Sequence, residues 1–169
     1  MTFVIPESSV MVTIPKICDG ILPRKILCGF LKTTAFDGRI VENPFYFENL
    51  NITSMSLKVN SKSLPVTNGL KLDFDEDLYL DGYKSLCNIS KDLDISFEEY
   101  KNGYTLFCFD LNPDISSSAH FSPLSDGIID LAFTKKNPHK ISYTCIFYCE
   151  YDNIIELNKH RQPSFDYII

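Results

Sequence analysis

The second half of the chain contains three apolar segments that are rich in β-branched and aromatic residues. They are residues 104–111, 127–134 and 141–157, and stretches rich in Pro, Ser, Asp and Asn separate them. Segments of this length are too short for stable helices, and turn-forming residues bound each of them. The pattern therefore predicts strands of a β-sandwich or β-barrel.

Shorter apolar segments in the first half predict further strands. Residues 2–5 and 10–14 predict two short strands around a polar turn, and the sequence Cys18-Asp19-Gly20 predicts another turn. In residues 25–32 both alternating sets of side chains are apolar or small, which is typical of a strand covered on both faces. This strand is therefore expected to be central in its sheet.

Residues 52–59 alternate between apolar and polar side chains, which predicts a half-buried strand. Asn60 and Ser61 then offer a tight turn into residues 62–66, so the two segments predict a hairpin. Residues 33–50 form a long polar and aromatic connection before this hairpin. Its aromatic side chains are too apolar to stay in water, so we expect the connection to pack on the body or contact a neighbouring subunit.

Two helical segments are predicted between the strands. Residues 73–90 show a period near 3.6 behind a cluster of acidic residues, and Ser96 and Glu99 have the spacing of a capping box. The acidic cluster resembles a calcium loop only superficially, because Leu78 stands where that loop requires Gly and Lys84 where it requires Glu. We interpret the cluster as a solvated helix start.

The number and spacing of these elements predict the fold class. At 169 residues, 44% of them hydrophobic, the chain has room for one domain with one core. About eight strands with one or two short helices in the connections predict an all-β, single jelly-roll sandwich of two four-stranded antiparallel sheets. The domain covers residues 1–169, with residues 33–50 as a long connection and residues 73–90 as a helical insertion.

Charge and hydropathy exclude several classes of partner. The formal net charge of -6 would repel a phosphate backbone unless the basic residues lay on one face. We interpret the basic residues near Lys135, Lys136 and Lys140 as a solvated rim, and expect no direct nucleic-acid binding. No apolar stretch approaches the roughly 20 residues of a membrane span, and residues 1–12 do not resemble a signal peptide. We therefore expect an intracellular chain that binds no membrane and is not secreted.

No pattern typical of an active site or a metal centre occurs in the sequence. The three histidines lie in polar turns without metal-ligand spacing, and neither GxSxG nor a phosphate-binding glycine loop is present. Most of the six cysteines lie inside apolar segments. Cys145 and Cys149 are about 13 Å apart on one predicted strand, too far for a mutual disulfide. We expect buried free thiols in a reducing compartment, no catalytic residues, no cofactor and no metal.

Several phrases occur together in a fixed order over nearly the whole chain. They are LPRKILCG (22–29), TAFDG (34–38), NPF (43–45), LKVN (57–60), LY (78–79), YKNGYTLF (100–107), FDLNPD (109–114), HF (120–121) and EYDNIIE (150–156). Together they resemble the C-terminal part of the major capsid proteins of Maverick/Polinton elements and adintovirus-like DNA viruses. The resemblance implies a jelly-roll fold, trimeric capsomers of an icosahedral shell, and a structural role in the virion without an active site.

Such capsid proteins carry two jelly rolls in one polypeptide, and this chain supplies one. The resemblance therefore implies the second half of a double jelly roll, or a domesticated remnant of one, whose partners are other capsid-protein copies. Apolar side chains of the long connection and of the C-terminal end are the candidates for contact between subunits. They are Phe36, Phe45, Tyr46, Phe47, Phe165, Tyr167, Ile168 and Ile169. Both regions could instead pack within the same chain and cover a sheet.

Two other functions stay open at this point. A standalone ligand-binding jelly roll, such as a carbohydrate-binding domain, would present exposed Tyr or Phe rings to a sugar, although such platforms commonly use Trp and the chain has none. An enzyme of the cupin kind would need clustered histidines on strands, whereas these histidines lie in predicted turns.

Overall fold

The computed structural model describes residues 1–64, 69–89, 94–112, 125–152 and 155–165. Within these ranges the strands are β1 (Thr2–Ile5), β2 (Met11–Ile21), β3 (Lys25–Lys32), β4 (Ile52–Val59), β5 (Lys62–Leu64), β6 (Leu70–Lys71), β7 (Leu106–Asp110), β8 (Asp126–Lys135), β9 (Tyr143–Glu150), β10 (Ile155–Leu157) and β11 (Pro163–Phe165). The helices are α1 (Thr33–Phe36), α2 (Leu80–Ile89) and α3 (Phe97–Lys101). None of the described helices is long and apolar enough to cross a membrane.

The main strands form two antiparallel sheets. The first sheet has the order β1-β9-β3-β7, and the second has the order β2-β8-β4-β5 with β6 beside β4. From β1 to β9 successive strands alternate between the two sheets, except that β4, β5 and β6 all lie in the second sheet, and β10 and β11 pair only with each other. Both main sheets combine strands from the two halves of the chain. This is the strand order of a jelly roll. The predicted sandwich is confirmed, although β6 adds a fifth strand to the second sheet and the described connections contain three short helices rather than one or two.

The core lies between the inner faces of the two sheets. Phe30, at the centre of β3, contacts Phe107 on the neighbouring strand and Phe133 on the second sheet, with ring centroids 6.1 and 5.1 Å away. Leu57 and Leu131 lie opposite each other on β4 and β8 and are fully buried. Side chains from both sheets meet here, so the inward-facing apolar residues of the alternating strands form one continuous core.

Several local predictions are confirmed. Strand β3 lies between β9 and β7, and strand β4 covers the predicted segment. Asn60 and Ser61 have φ values of 48° and 69°, so both central residues of the β4–β5 turn are left-handed, as a two-residue hairpin with the twist of a sheet requires. At α3 the Ser96 hydroxyl accepts from the backbone N–H of Glu99, and the Glu99 carboxylate accepts from the backbone N–H of Ser96, which completes the capping box.

Two local predictions are wrong. The turn predicted at Cys18-Asp19-Gly20 does not form, because β2 continues to Ile21 after an irregularity and Gly20 lies opposite Gly127 on β8. Gly20 has a φ of 129°, so glycine serves here to bend a strand rather than to end it. The helix predicted from residue 73 begins only at Leu80. The acidic residues before it form a turn closed by two backbone hydrogen bonds between Asp73 and Leu78, at 2.9 and 2.8 Å.

Candidate subunit-contact surface

Three of the predicted contact residues project into solvent from the connection between β3 and β4. They are Phe36, Phe45 and Tyr46, and Phe45 is 71% exposed. Tyr104 is exposed on the adjoining segment, which pairs with this connection at Phe47. We call Phe36, Phe45, Tyr46 and Tyr104 the aromatic patch. At the C-terminal end, only the backbone of Phe165 is described, and Tyr167, Ile168 and Ile169 lie outside the described residues.

Phe47, the fourth predicted contact residue of the connection, packs on the protein's own first sheet. Its N–H donates to the carbonyl of Gly103 at 2.7 Å, and its carbonyl accepts from Thr105 at 3.3 Å. Its ring lies so close to Gly29 of β3 that a Cβ there would be 2.7 Å from Phe47 Cδ1. The connection therefore packs back on the body, as the sequence predicted, and a glycine makes that close approach possible.

The outer face of the first sheet carries a group of apolar side chains, and Lys25, Asp110 and Glu150 lie together at one end of this face. Residues directly opposite each other on antiparallel strands share a face, so Tyr148 lies beside Leu27, and Ile146 lies beside Gly29. Val4 extends the same face on β1, the edge strand. Val4 and Tyr148 are each 63% exposed, whereas Leu27 and Ile146 are half-buried. We call Val4, Leu27, Ile146 and Tyr148 the outer apolar face.

The outer face of the second sheet is largely polar, although its strands are equally well paired. By register, the side chains on this face include those of Thr13, Ser54, Ser56, Lys58, Asp130 and Thr134. Met11 and Ile128 are the exposed large apolar residues on this face. The two sheets therefore share one core but differ in most of the side chains that they present to solvent.

The connection between β3 and β4 also forms a small cleft. It has a volume of about 250 Å³ and is lined by Lys32, Ala35, Val41, Glu42, Asn43, Tyr46 and Glu48. Lys32 Nζ lies 3.7 Å from Glu48 Oε1, and the Tyr143 hydroxyl donates to Glu48 Oε2 at 2.7 Å. Burial, followed by this hydrogen bond to a carboxylate, raises the pKa of Tyr143, so its hydroxyl keeps its proton. Several polar groups thus converge beside one exposed ring.

The acidic turn before α2 binds lysines of the same chain. Lys136 Nζ lies 2.7 Å from Asp75 Oδ2 and 3.5 Å from Asp73 Oδ1, and Lys101 pairs with Asp77. Asp73 Oδ1 also accepts from two backbone N–H groups of the turn. Partial burial alone would raise the pKa of Asp73, but these hydrogen bonds and Lys136 lower it. The turn is therefore part of a network of ion pairs within the chain.

Thiols and imidazoles form no metal centre in the part of the chain that the structure describes. No group of three or more His, Cys, Asp or Glu residues there has the geometry to hold a metal ion. The ring of His139 contacts the carbonyl of Leu50 at 3.1 Å, His160 is exposed, and His120 lies outside the described residues. All six cysteines are free thiols, as expected. Cys87 on α2 is exposed, however, whereas the sequence predicted buried thiols.

Comparison with known proteins finds one relative of unstated function. No protein-family model and no solved structure matches the chain. A Caenorhabditis elegans protein, described as uncharacterized, is 26% identical over 162 residues. The alignment covers 88% of this chain and 37% of the relative, so the chain spans little more than a third of that protein's length.

Proposed function

We propose that the chain is a capsid-type jelly-roll module that associates with further capsid-protein copies through the outer apolar face and the aromatic patch. The observation that carries the proposal is the contrast between the two outer sheet faces. A sandwich that works alone needs apolar side chains only on its inner faces. An outer face with Val4 and Tyr148 each 63% exposed is instead typical of a surface that a partner covers.

The strand order and the ordered sequence phrases favour a capsid partner over an unrelated one. Jelly rolls with this order build many viral shells, and the phrases that resemble Maverick/Polinton capsid proteins extend over both sheets. On this proposal the chain is one half of a double jelly roll, or a domesticated remnant of one. It acts in a virion shell or inside the host cell, and its role includes no catalytic step, cofactor or metal.

Shell assembly requires contacts that are individually weak but numerous. A standard stable interface buries about 800 Å² on each partner, and four side chains of the outer apolar face supply only part of that area. The aromatic patch lies on the connection whose Phe47 ring contacts Gly29 of β3, so it offers a second contact region beside the outer apolar face. Repetition of the same contact around a ring then converts modest pairwise affinity into a stable assembly.

The proposal is tested by the solution state of the full chain. We expect light scattering coupled to size-exclusion chromatography to show discrete oligomers, with trimers as the resemblance implies, and negative-stain images to show rings or shells. A chain that stays monomeric at high micromolar concentration, at both low and moderate salt, would contradict the proposal.

The cleft beside Tyr46 favours a second candidate function, a standalone carbohydrate- or ligand-binding domain. Tyr46 offers a ring for stacking, and Lys32, Glu42 and Glu48 offer groups that can bind hydroxyls. A glycan array separates the two functions. Saturable glycan binding that Tyr46→Ala abolishes, shown by a monomeric chain, would support the second candidate and count against the first.

A further inference from the structure

Most edges of the two main sheets carry features that hinder pairing with a further strand. Strand β2 is irregular between Ile14 and Cys18, where Pro15 and Lys16 lie and Lys16 has a φ of 53°. Strands β5 and β6 have three and two residues, and each contains a lysine. Helix α2 packs against β7. Prolines, lysines, irregularities and covering helices are the usual means by which proteins prevent pairing at a sheet edge.

Strand β1, the remaining edge, has none of these features. Its residues are Thr2, Phe3, Val4 and Ile5, so it contains no charged side chain and no proline. It pairs with β9 in one continuous register, and β9 is its sole neighbour among the described strands. An apolar edge strand without such protection is a template for the pairing of a further strand.

The backbone groups that β1 leaves unpaired are those of Thr2 and Val4. Met1 and Phe147 exchange both backbone hydrogen bonds, at 3.1 and 2.8 Å. Hydrogen-bonded positions alternate in an antiparallel pair, so the odd-numbered residues of β1 bond to β9, and the N–H and C=O groups of Thr2 and Val4 point away from it. The strand therefore offers two donors and two acceptors along its free edge.

We propose that the β1 strands of two copies pair antiparallel about a two-fold axis and join their first sheets into one sheet of eight strands. Phe3 lies at the axis opposite Phe3 of the other copy, and Thr2 lies opposite Val4 of the other copy. Each of the two Thr2–Val4 pairs exchanges two N–H···O bonds. The inference rests on the proposed function for the identity of the partner, which is a further copy of this chain.

The strand is complementary to itself in this register. A shift by two residues in either direction keeps one bonded pair within the strand, Thr2 with Thr2 or Val4 with Val4, and so halves the number of bonds. The strand ends before Pro6, which has no N–H to extend the pairing. Because β1 carries no charge, the pairing brings no like charges together, and it places the two Phe3 side chains side by side.

The pairing also extends the outer apolar face. The Val4 side chain, 63% exposed, lies on this face at the edge of the sheet. In the joined sheet the outer apolar faces of the two copies become continuous across the axis. A two-fold contact closes a pair of copies, so it can link one ring of subunits to the next but cannot build the ring itself.

The edge contact is weak when it acts alone. Strands of four residues bury much less than the roughly 800 Å² per partner of a standard interface. We therefore expect the pairing in assemblies that the outer apolar face already holds together, where a weak contact that recurs many times is retained.

The first test is disulfide trapping of the full chain with Phe3→Cys, in a Cys87→Ser background that removes the exposed native thiol. Opposite residues of a non-hydrogen-bonded pair have Cα atoms about 4.5 Å apart, which a disulfide can bridge. We expect mild oxidation to give a covalent dimer linked through position 3, identified by non-reducing gels and peptide mass. Val4→Cys in the same background is the matched control, because the two Val4 positions are diagonal neighbours about 7 to 8 Å apart and should link far less.

Val4→Pro tests the backbone bonds without cysteine chemistry. The Val4 N–H does not bond to β9, so its removal leaves the fold intact but deletes two of the four bonds between copies. We expect sedimentation velocity to show a dissociation constant of the edge contact raised by about 10- to 100-fold. Val4→Ile keeps the N–H and should assemble as the parent chain does. Thermal melts check that each variant is folded.

The outcomes separate this pairing from the proposed function. With an oligomeric parent, no trapping in a folded Phe3→Cys variant, equal trapping of both cysteine variants, or unchanged assembly of Val4→Pro would overturn the edge pairing and leave the proposed function intact. A parent that stays monomeric and gives no covalent dimer would overturn both. Covalent dimers of Phe3→Cys from an otherwise monomeric parent would support the pairing and contradict the role of the outer apolar face.

Discussion

Replacing Tyr148 by lysine should weaken self-association without destabilising the fold. The Tyr148 side chain is 63% exposed on the outer apolar face. A tyrosine presents about 200 Å² of surface, so roughly 125 Å² is available for a partner to cover, and at about 25 cal/mol per Å² this is worth up to about 3 kcal/mol. Such a loss corresponds to a dissociation constant raised by up to about 100-fold. The fold should change by less than about 0.5 kcal/mol, because the side chain is on the surface.

The assay is sedimentation velocity over a concentration series, together with a thermal melt of each variant. Met11→Lys is the matched control, because Met11 is 80% exposed on the outer face of the second sheet, and the substitution adds the same charge there. We expect Met11→Lys to associate as the parent chain does and Tyr148→Lys to stay largely monomeric. Equal association of both variants and the parent would refute the assignment of the outer apolar face.

Three further predictions concern the scaffold that presents this surface. Gly29→Val places carbon atoms where the ring of Phe47 now lies, 2.7 Å from a Cβ at that position, and should lower the free energy of unfolding by about 1 to 3 kcal/mol in urea titrations. Ser96→Ala removes the α3 cap and should lower the thermal midpoint by about 2 to 4 °C at pH 7. Hydrogen bonds from Ser96 lower the pKa of Glu99 in the folded chain, so the part of the cap that needs the Glu99 carboxylate stabilises the chain above the unfolded pKa of about 4.3 and is lost as the pH falls through the folded value. The difference between the melts of parent and variant should therefore narrow in acid, and the bond from the Glu99 N–H to the Ser96 hydroxyl should keep it from vanishing. Tyr100→Phe should raise the free energy of unfolding by about 1 kcal/mol in urea titrations, because the fully buried Tyr100 hydroxyl has no hydrogen-bond partner among the described residues. A lower free energy of unfolding would contradict this prediction.

The regular part of the fold follows from local sequence patterns. Alternation with a period of two identified β4, and the two-residue turn at Asn60 and Ser61 identified its hairpin, because both signals depend only on neighbouring residues. The prediction of a turn at Cys18-Asp19-Gly20 was wrong because the conformation there depends on a residue far away in the sequence. Gly20 faces Gly127 on a distant strand, and this long-range pairing decides that the chain stays extended there.

The contact surface was only partly predictable. The aromatic residues of the connection stood out by composition, but which of them would cover the sheet depended on Gly29, a residue of a different element. Tyr148 and Val4 were missed, although a signal was present. Strand β9 is apolar at most positions on both of its faces, as β3 is, and this pattern favours a strand covered on both faces.

The chain's own connection covers the outer face of the first sheet unevenly, and on the proposed function this sets the direction from which a partner would approach. Over β3, Leu31 is buried beside α1, whose Thr33 hydroxyl accepts from the Thr144 hydroxyl at 3.1 Å, and Phe47 covers Gly29. Tyr148 on β9 and Val4 on the edge strand β1 lack such a cover and stay exposed. The chain's own connection therefore occupies the part of the face that a partner would otherwise reach from the β3 side. On the proposed function, a second subunit would therefore approach over β1 and β9, where the exposed apolar area lies beside the edge of the sheet.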